Sequence, residues 1–196
     1  MNDNFNEVTT LIRNNRFIEA INLLKNLNKE EKKNPNYFFL KGISHLYLSE
    51  FNHAIDDFTS AININHENPK LYFYRGYSYS RLNEYQNTKN DYKKAISLNP
   101  NAAEFYNNIA QIYRLTGEND EAIKSFIKSI ELNKNSKHSF EGLLSILSET
   151  KNTNINTSKI ILTHKNLNKI NFYYSPNEFI KDSEIKKLLD TINGVL

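Results

Sequence analysis

Residues 69–102 read PKLYFYRGYSYSRLNEYQNTKNDYKKAISLNPNA, and the stretches on either side repeat that pattern without a gap. Gly76-Tyr77 has Gly42-Ile43 34 residues before it and Ala110-Gln111 34 residues after it. At the same spacing Thr88-Lys89 meets Ala54-Ile55 and Ala122-Ile123, Tyr92 meets Phe58 and Phe126, and Ala95-Ile96 meets Ala61-Ile62 and Ser129-Ile130. Asn99 meets Asn65 and Asn133, and the pattern reaches back to Phe17, Ala20, Ile21 and Leu24. A fixed period of this size marks a solenoid, in which each unit buries its apolar face on its neighbours. Such arrays present surfaces, so binding is the expected function.

Each unit reads as two helices. Leu71, Tyr72, Tyr74, Tyr77, Tyr79 and Leu82 recur at helical spacing and predict a helix over 68–81. Asn83-Glu84 breaks the pattern, a second helix runs from about Tyr85 to Leu98, and Asn99-Pro100 closes the unit. Thr116-Gly117 makes the corresponding turn in the next unit, with a glycine free to take positive φ. Gly42 and Gly76 fall mid-helix, where glycine costs roughly 1 kcal/mol relative to alanine. Their repetition, with Ala110 in the same place, predicts close approach of the partner helix.

The residues Phe38, Gly42, Phe51, Ala54, Phe58 and Ala61, then Tyr72, Gly76, Tyr85, Tyr92, Ala95 and Pro100, resemble the tetratricopeptide repeat family. Tyr106, Ala110, Tyr113, Ala122, Phe126 and Leu132 carry the same resemblance further along. The expected fold is all-α: a right-handed superhelical solenoid of antiparallel helix pairs with a C-terminal capping helix. The units are a weak repeat at 1–34, three strong ones at 35–68, 69–102 and 103–136, a degenerate helix pair at 137–170 and the capping segment at 171–196. Three departures stand out. Thr88-Lys89 replaces an Ala-Ile pair and predicts looser packing, Ser129 replaces an alanine almost isosterically, and Val8 replaces the small residue of the first unit.

Beyond residue 136 the register fades. Phe140, Leu143, Leu144 and Leu147 make one more first helix, a polar insertion follows at Lys151-Asn152-Thr153-Asn154, and an apolar helix is expected around Ile160-Ile161-Leu162. Ser175-Pro176-Asn177-Glu178 has the form of a capping box that opens a last helix, with Ile185, Leu188, Leu189 and Ile192 on its apolar side and Gly194 at its end. That helix is expected to cover the open edge of the array.

Composition narrows the function. The chain has 196 residues, 39% of them hydrophobic, with 12 Tyr and 12 Phe to supply buried area and a mean hydropathy of −0.65, which suits thin helical layers with much exposed surface. The net charge is +3 and no segment gathers it into a basic stripe, so nucleic acid is not an expected partner. With no cysteine there are neither disulfides nor thiolate ligands. No leader is visible after Met1-Asn2-Asp3-Asn4 and no run is long enough for a membrane span, so the expected setting is cytoplasmic, with no membrane partner. His45, His53, His66, His138 and His164 show no H-E-x-x-H spacing, so no metal and no cofactor are expected. His45 is read as a packed core residue and Asp56-Asp57 as a solvated face, because adjacent helical residues point about 100° apart. No catalytic residue is expected, and the chain is read as a non-enzymatic adaptor.

The resemblance implies a concave groove lined by first helices, holding a peptide segment of a partner protein. By register the groove positions fall on Phe39, Ile43 and Tyr47, on Lys70, Phe73, Tyr77 and Arg81, and on Asn107, Gln111 and Arg114. Phe38, Tyr72 and Tyr106 are read as core; for Phe39, Phe73 and Tyr77 the pattern allows groove or core. One family subclass clamps the terminal carboxylate of chaperone tails. Its positions hold Phe39, Ile43, Tyr74, Glu104 and Asn108 here, or Phe5, Thr9, Leu40, Lys70 and Tyr74 in the other frame. Neither has paired cations, so a chaperone tail is disfavoured. A reading from another class makes the repeats the substrate-recruiting region of a larger or neighbouring transferase, a glycosyltransferase or sulfotransferase, with 151–196 as the junction.

Overall fold

The computed structural model describes residues 3–149, which form nine α-helices, with no strand among the described residues. α1 (Asp3–Arg13) pairs with α2 (Phe17–Lys25), α3 (Pro35–Tyr47) with α4 (Phe51–Ile64), α5 (Pro69–Arg81) with α6 (Tyr85–Leu98), and α7 (Ala103–Leu115) with α8 (Asn119–Leu132). α9 (Lys137–Glu149) follows as one more first helix, with Phe140, Leu143 and Ile146 buried. The helix expected around 160–162 and the capping helix expected over 175–193 lie outside the described residues.

Local chemistry sets the boundaries. The side-chain oxygens of Asn34 and Asn68 accept the N–H of Asn36 (2.9 Å) and Lys70 (3.1 Å), and Pro35 and Pro69 follow at the first helical position. Asn65, Asn99 and Asn133 end the second helices. Each donates its N–H to the carbonyl four residues back, at 2.8 to 2.9 Å, and its side chain accepts the N–H two residues on. The inter-helix turns also repeat. Asn15, Ser49, Asn83 and Gly117 all take positive φ, and the next residue's N–H bonds back across the turn: Arg16 to Leu11, Glu50 to His45, Glu84 to Tyr79 and Glu118 to Tyr113. Only Gly117 meets this demand without a side chain; Asn tolerates it better than Ser49 does.

Within each strong unit a ring from the second helix lies against a small residue of the first. A Cβ on Gly42 would sit 2.8 Å from the Phe58 ring, and one on Gly76 would sit 2.9 Å from the Tyr92 ring. Ala110 fills that place opposite Phe126, and all three rings are buried. Full burial of such a ring contributes about 1.5–3 kcal/mol. Gly142 on α9 does the same from the next unit, where a Cβ would collide with Phe126.

The departures from the repeat pattern are satisfied, not loose. Thr88 is fully buried and its hydroxyl donates to the Glu84 carbonyl (3.1 Å). Lys89 reaches Glu118 of the next unit at 2.7 Å, which corrects the expectation of weaker packing there. Ser129 is more than an isostere, since its hydroxyl donates to the Ala103 carbonyl (2.8 Å) and accepts from Ser139 (2.8 Å).

Polar links also cross between paired helices. Asp57 is buried on α4, with Lys41 at 2.8 Å on one oxygen and His45 Nδ1 at 2.7 Å on the other. The expected solvated Asp56-Asp57 face therefore holds for Asp56 alone. One period on, Asp91 accepts two bonds from Arg75, from Nε at 2.8 Å and Nη2 at 2.7 Å, while Nη1 reaches Thr59 at 3.1 Å. Those bonds to Asp91 hold the guanidinium's proton affinity above its ordinary value. In the third strong unit the same two places are Ile109 and Ser125.

Candidate functional site

Curvature follows from which helices touch across units. α1 meets α3, α3 meets α5 and α7 meets α9, whereas no two second helices meet to that extent among the described residues. In three of the four steps from unit to unit the first helices therefore approach each other more closely than the second helices do, which puts the first helices on the inner side. A partner of the inner face meets α1, α3, α5, α7 and α9.

Side chains at the thirteenth place of each unit form an exposed row along that set of helices. Tyr47 on α3 is 60% exposed and Leu115 on α7 is 59% exposed, with Arg81 on α5 between them. Tyr47 stacks flat on Phe17 of the preceding unit, with ring centroids 4.9 Å apart. One period later the guanidinium of Arg81 lies over Phe51 at 4.9 Å. A ring from the preceding second helix thus backs each of these two side chains, which limits their rotamers and keeps their outer faces open. Arg81 also reaches the Tyr77 hydroxyl at 3.4 Å, and Arg114 donates to Gln111 at 3.3 Å. Among the described residues neither arginine pairs with a carboxylate.

The expected groove residues divide. Tyr47, Lys70 and Arg81 are exposed, and Phe39, Tyr77, Asn107, Gln111 and Arg114 are half-buried. Ile43 and Phe73 are buried. Phe73 stacks on Phe105 at 4.9 Å and on Tyr92 at 5.5 Å, so its ring joins two units as core and offers no open face. Phe39 lies between Phe58 and Tyr74 at 6.2 and 5.8 Å and is half-buried. Asn107 is partly engaged, since its side-chain amide lies 3.0 Å from the Ser139 hydroxyl on α9. Of the three residues read as core, Tyr72 is buried while Phe38 and Tyr106 are half-buried. Leu115 was missed, although its place 34 residues after Arg81 was readable once Tyr47 and Arg81 were chosen.

His45 is buried against Asp57, in accord with its reading as a packed residue. A grouping without H-E-x-x-H spacing lies beside it. His45, Glu50 and His53 bring one ligand atom each to within 4.8 Å of one another at the turn between α3 and α4. No helix among the described residues is long and apolar enough to cross a membrane.

Comparison with known families matches residues 69–102 and 91–124 to tetratricopeptide repeat models. A comparison with curated proteins by sequence finds no match. Among solved structures, the chain resembles the crystal structure of MamA with a TM-score of 0.69 and 19% identity, over 74% of this chain and 84% of that one. YrrB, described as a TPR protein with an unusual peptide-binding site, gives a TM-score of 0.66 and 17% identity, over 82% of this chain and 84% of that one. The first TPR of Spaghetti (RPAP3), bound to an HSP90 peptide, gives 0.59 and 22%, over 61% of this chain and 95% of that one. Because a neighbour of this kind holds a chaperone peptide, the comparisons lend no support to setting chaperone tails aside. Family models match residues 69–124, and the period, the helix pairs and the shared fold along the rest of the described residues support a tetratricopeptide repeat protein.

Proposed function

We propose that the protein is a non-enzymatic interaction scaffold that holds a peptide segment of a partner along the inner face of its first helices. The observation that carries this reading is the row Tyr47, Arg81 and Leu115. These are exposed side chains at one repeat position, the first two backed by rings of the preceding unit. Aromatic and arginine side chains held in place on a rigid surface are the groups that dominate binding energy at interfaces. The row suits a segment with apolar side chains near Tyr47 and Leu115 and an acidic one facing Arg81, with Tyr77, Gln111 and Arg114 bonding its polar groups. Phe39 supplies a half-buried ring of an aromatic cluster, whereas Ile43 and Phe73 serve by positioning the helices.

A chaperone tail would meet Phe39, Ile43, Tyr74, Glu104 and Asn108 at the places that clamp a terminal carboxylate. Glu104 is exposed there, and the Asn108 amide already donates to the Glu104 carbonyl (2.9 Å). The chemistry at the row favours an internal segment, and a chaperone C-terminal peptide is a direct comparison.

The test captures partners from lysate on the full chain, maps the bound segment, and measures its synthetic peptide against the parent and a Tyr47→Ala, Arg81→Ala, Leu115→Ala variant. Losing these three groups should weaken binding by more than ~2 kcal/mol if they include hot spots. Undiminished binding with intact helicity would place the partner on another surface.

A further inference from the structure

We propose that the tip of the α3–α4 hairpin is a zinc site, with His45, Glu50 and His53 as its three protein ligands. His45 is in the last turn of α3, Glu50 is the residue before α4, and His53 lies in the first turn of α4. The Glu50 carboxylate stands 3.7 Å from His45 Nε2 and 3.7 Å from His53 Nδ1, and the two imidazole rings are 5.2 Å apart.

The hydrogen bonding around His45 turns this grouping into a ligand set. Its Nδ1 lies 2.7 Å from the buried Asp57 carboxylate, which has no proton of its own to give while Lys41 pairs with its other oxygen. In the neutral imidazole that metal binding requires, that contact assigns Nδ1–H as the donor to Asp57, which leaves Nε2 as the nitrogen available on the Glu50 side. A carboxylate behind a ligating histidine is the arrangement that fixes ring orientation and tautomer at metal centres. In front of it, His45 Nε2 and the Glu50 carboxylate stand at 3.7 Å, a separation too long for a hydrogen bond. His53 adds the third donor, a nitrogen on an exposed, rotatable side chain.

The spacing suits a small cation. With bonds of about 2.0–2.2 Å, tetrahedral coordination places donor atoms about 3.3–3.5 Å apart. Closing Glu50 and the two histidines onto one ion needs only a few tenths of an ångström at each 3.7 Å contact, plus a rotation of His53. Two imidazoles with one carboxylate form a zinc set that leaves a fourth position for water. The turn holds the frame, because the Glu50 N–H is bonded to the His45 carbonyl at 2.9 Å and Ser49 takes positive φ.

The molecule carries its own controls. The same turn recurs around Asn83 and Gly117, with Glu84 and Glu118 in the place of Glu50. Tyr79 and Asn87 stand there in the place of the histidines in one unit, and Tyr113 and Glu121 in the other. The same turn carries three corresponding positions in each of these units, and among the described residues this unit alone fills them with two imidazoles and a carboxylate.

The experiment titrates Zn²⁺ alone into the metal-free full chain by calorimetry, and repeats it with Co²⁺ to read the visible absorption of a four- or five-coordinate ion. One zinc per chain is expected. Glu50→Gln and His53→Ala alter exposed positions and should each weaken uptake at least tenfold with helicity unchanged, while His138→Ala should leave it as in the parent. Absence of saturable zinc uptake would overturn the proposal. So would uptake that neither Glu50→Gln nor His53→Ala diminishes.

Discussion

Replacing Arg75 by isoleucine and Asp91 by serine, singly and together, measures what the polar link between α5 and α6 does, because the chain already uses Ile109 and Ser125 at these places one period later. In Arg75→Ile the Asp91 carboxylate, 8% exposed, loses two charge-assisted bonds and gains nothing. Removing one partner of a buried pair costs about 3–5 kcal/mol, and the lower end applies where the pair lies near a surface. In Asp91→Ser the guanidinium, 18% exposed, can extend toward water along its own stem, so about 1–2 kcal/mol is expected. The double variant leaves neither charge buried alone and should cost about 1 kcal/mol or less. The predicted coupling between the two sites is therefore about 3 kcal/mol. For a chain of this size about 3 kcal/mol lowers the melting temperature by roughly 6–12 °C. Urea and thermal melts followed by circular dichroism at fixed protein concentration give all four corners of the cycle. A double variant as unstable as the sum of the singles would refute the reasoning, since it would mean that the two groups act independently.

Other expectations follow from particular contacts. Phe73→Ala should destabilise the array by about 3–5 kcal/mol by emptying the stack between Tyr92 and Phe105, whereas Tyr47→Ala should change the urea midpoint little. Gly142→Ala gains about 1 kcal/mol of helix propensity but drives a methyl into the buried Phe126 ring, and the net effect expected in thermal melts is a loss of about 1–2 kcal/mol. Burial pushes the Tyr92 phenol well above its ordinary range, against a smaller opposing effect of its hydrogen bond with Ser80; burial also raises Tyr74 and Tyr79. These phenols are held neutral by the fold, so their stabilisation is complete below about pH 10 and is lost as the pH rises beyond it. Denaturant midpoints across that range, with the phenolate absorbance read in parallel, should fall less steeply in Tyr92→Phe.

The period was legible because one unit's interface is copied in the next. Tyr92, Phe58 and Phe126 announce themselves by spacing alone, and so do the glycines and alanine beneath them. What escaped was chemistry that depends on distance between helices, not on spacing within one. Asp57 looked like half of a solvated pair because its neighbour Asp56 is one; only the fold shows Lys41 and His45 arriving from α3. Lys89 looked like a packing flaw because its partner, Glu118, lies a whole helix away. Phe73 could not be assigned to groove or core from its place on α5, since the deciding contact is Phe105 on the following helix. The cluster at His45, Glu50 and His53 was hidden for a related reason: its ligands straddle a turn, so no helical spacing describes it.

The change from ion-paired links in two units to an uncharged one in the next bears on how a chain of near-copies finds its own register. Similar units invite wrong partnerships, in which a helix from one unit docks against the second helix of another. Here such a swap would be punished. α4 docked against α7 would press the Asp57 carboxylate onto Ile109, and α8 docked against α5 would leave the Arg75 guanidinium facing Ser125. Each wrong pairing buries a charge without a counter-ion, a penalty of several kcal/mol that the correct pairing escapes. The ion pairs thus set the helices of the third strong unit apart from those of the two units before it. A variant chain in which every unit carried the apolar pair would stand to gain stability in each interface and lose the instruction that keeps the interfaces in order.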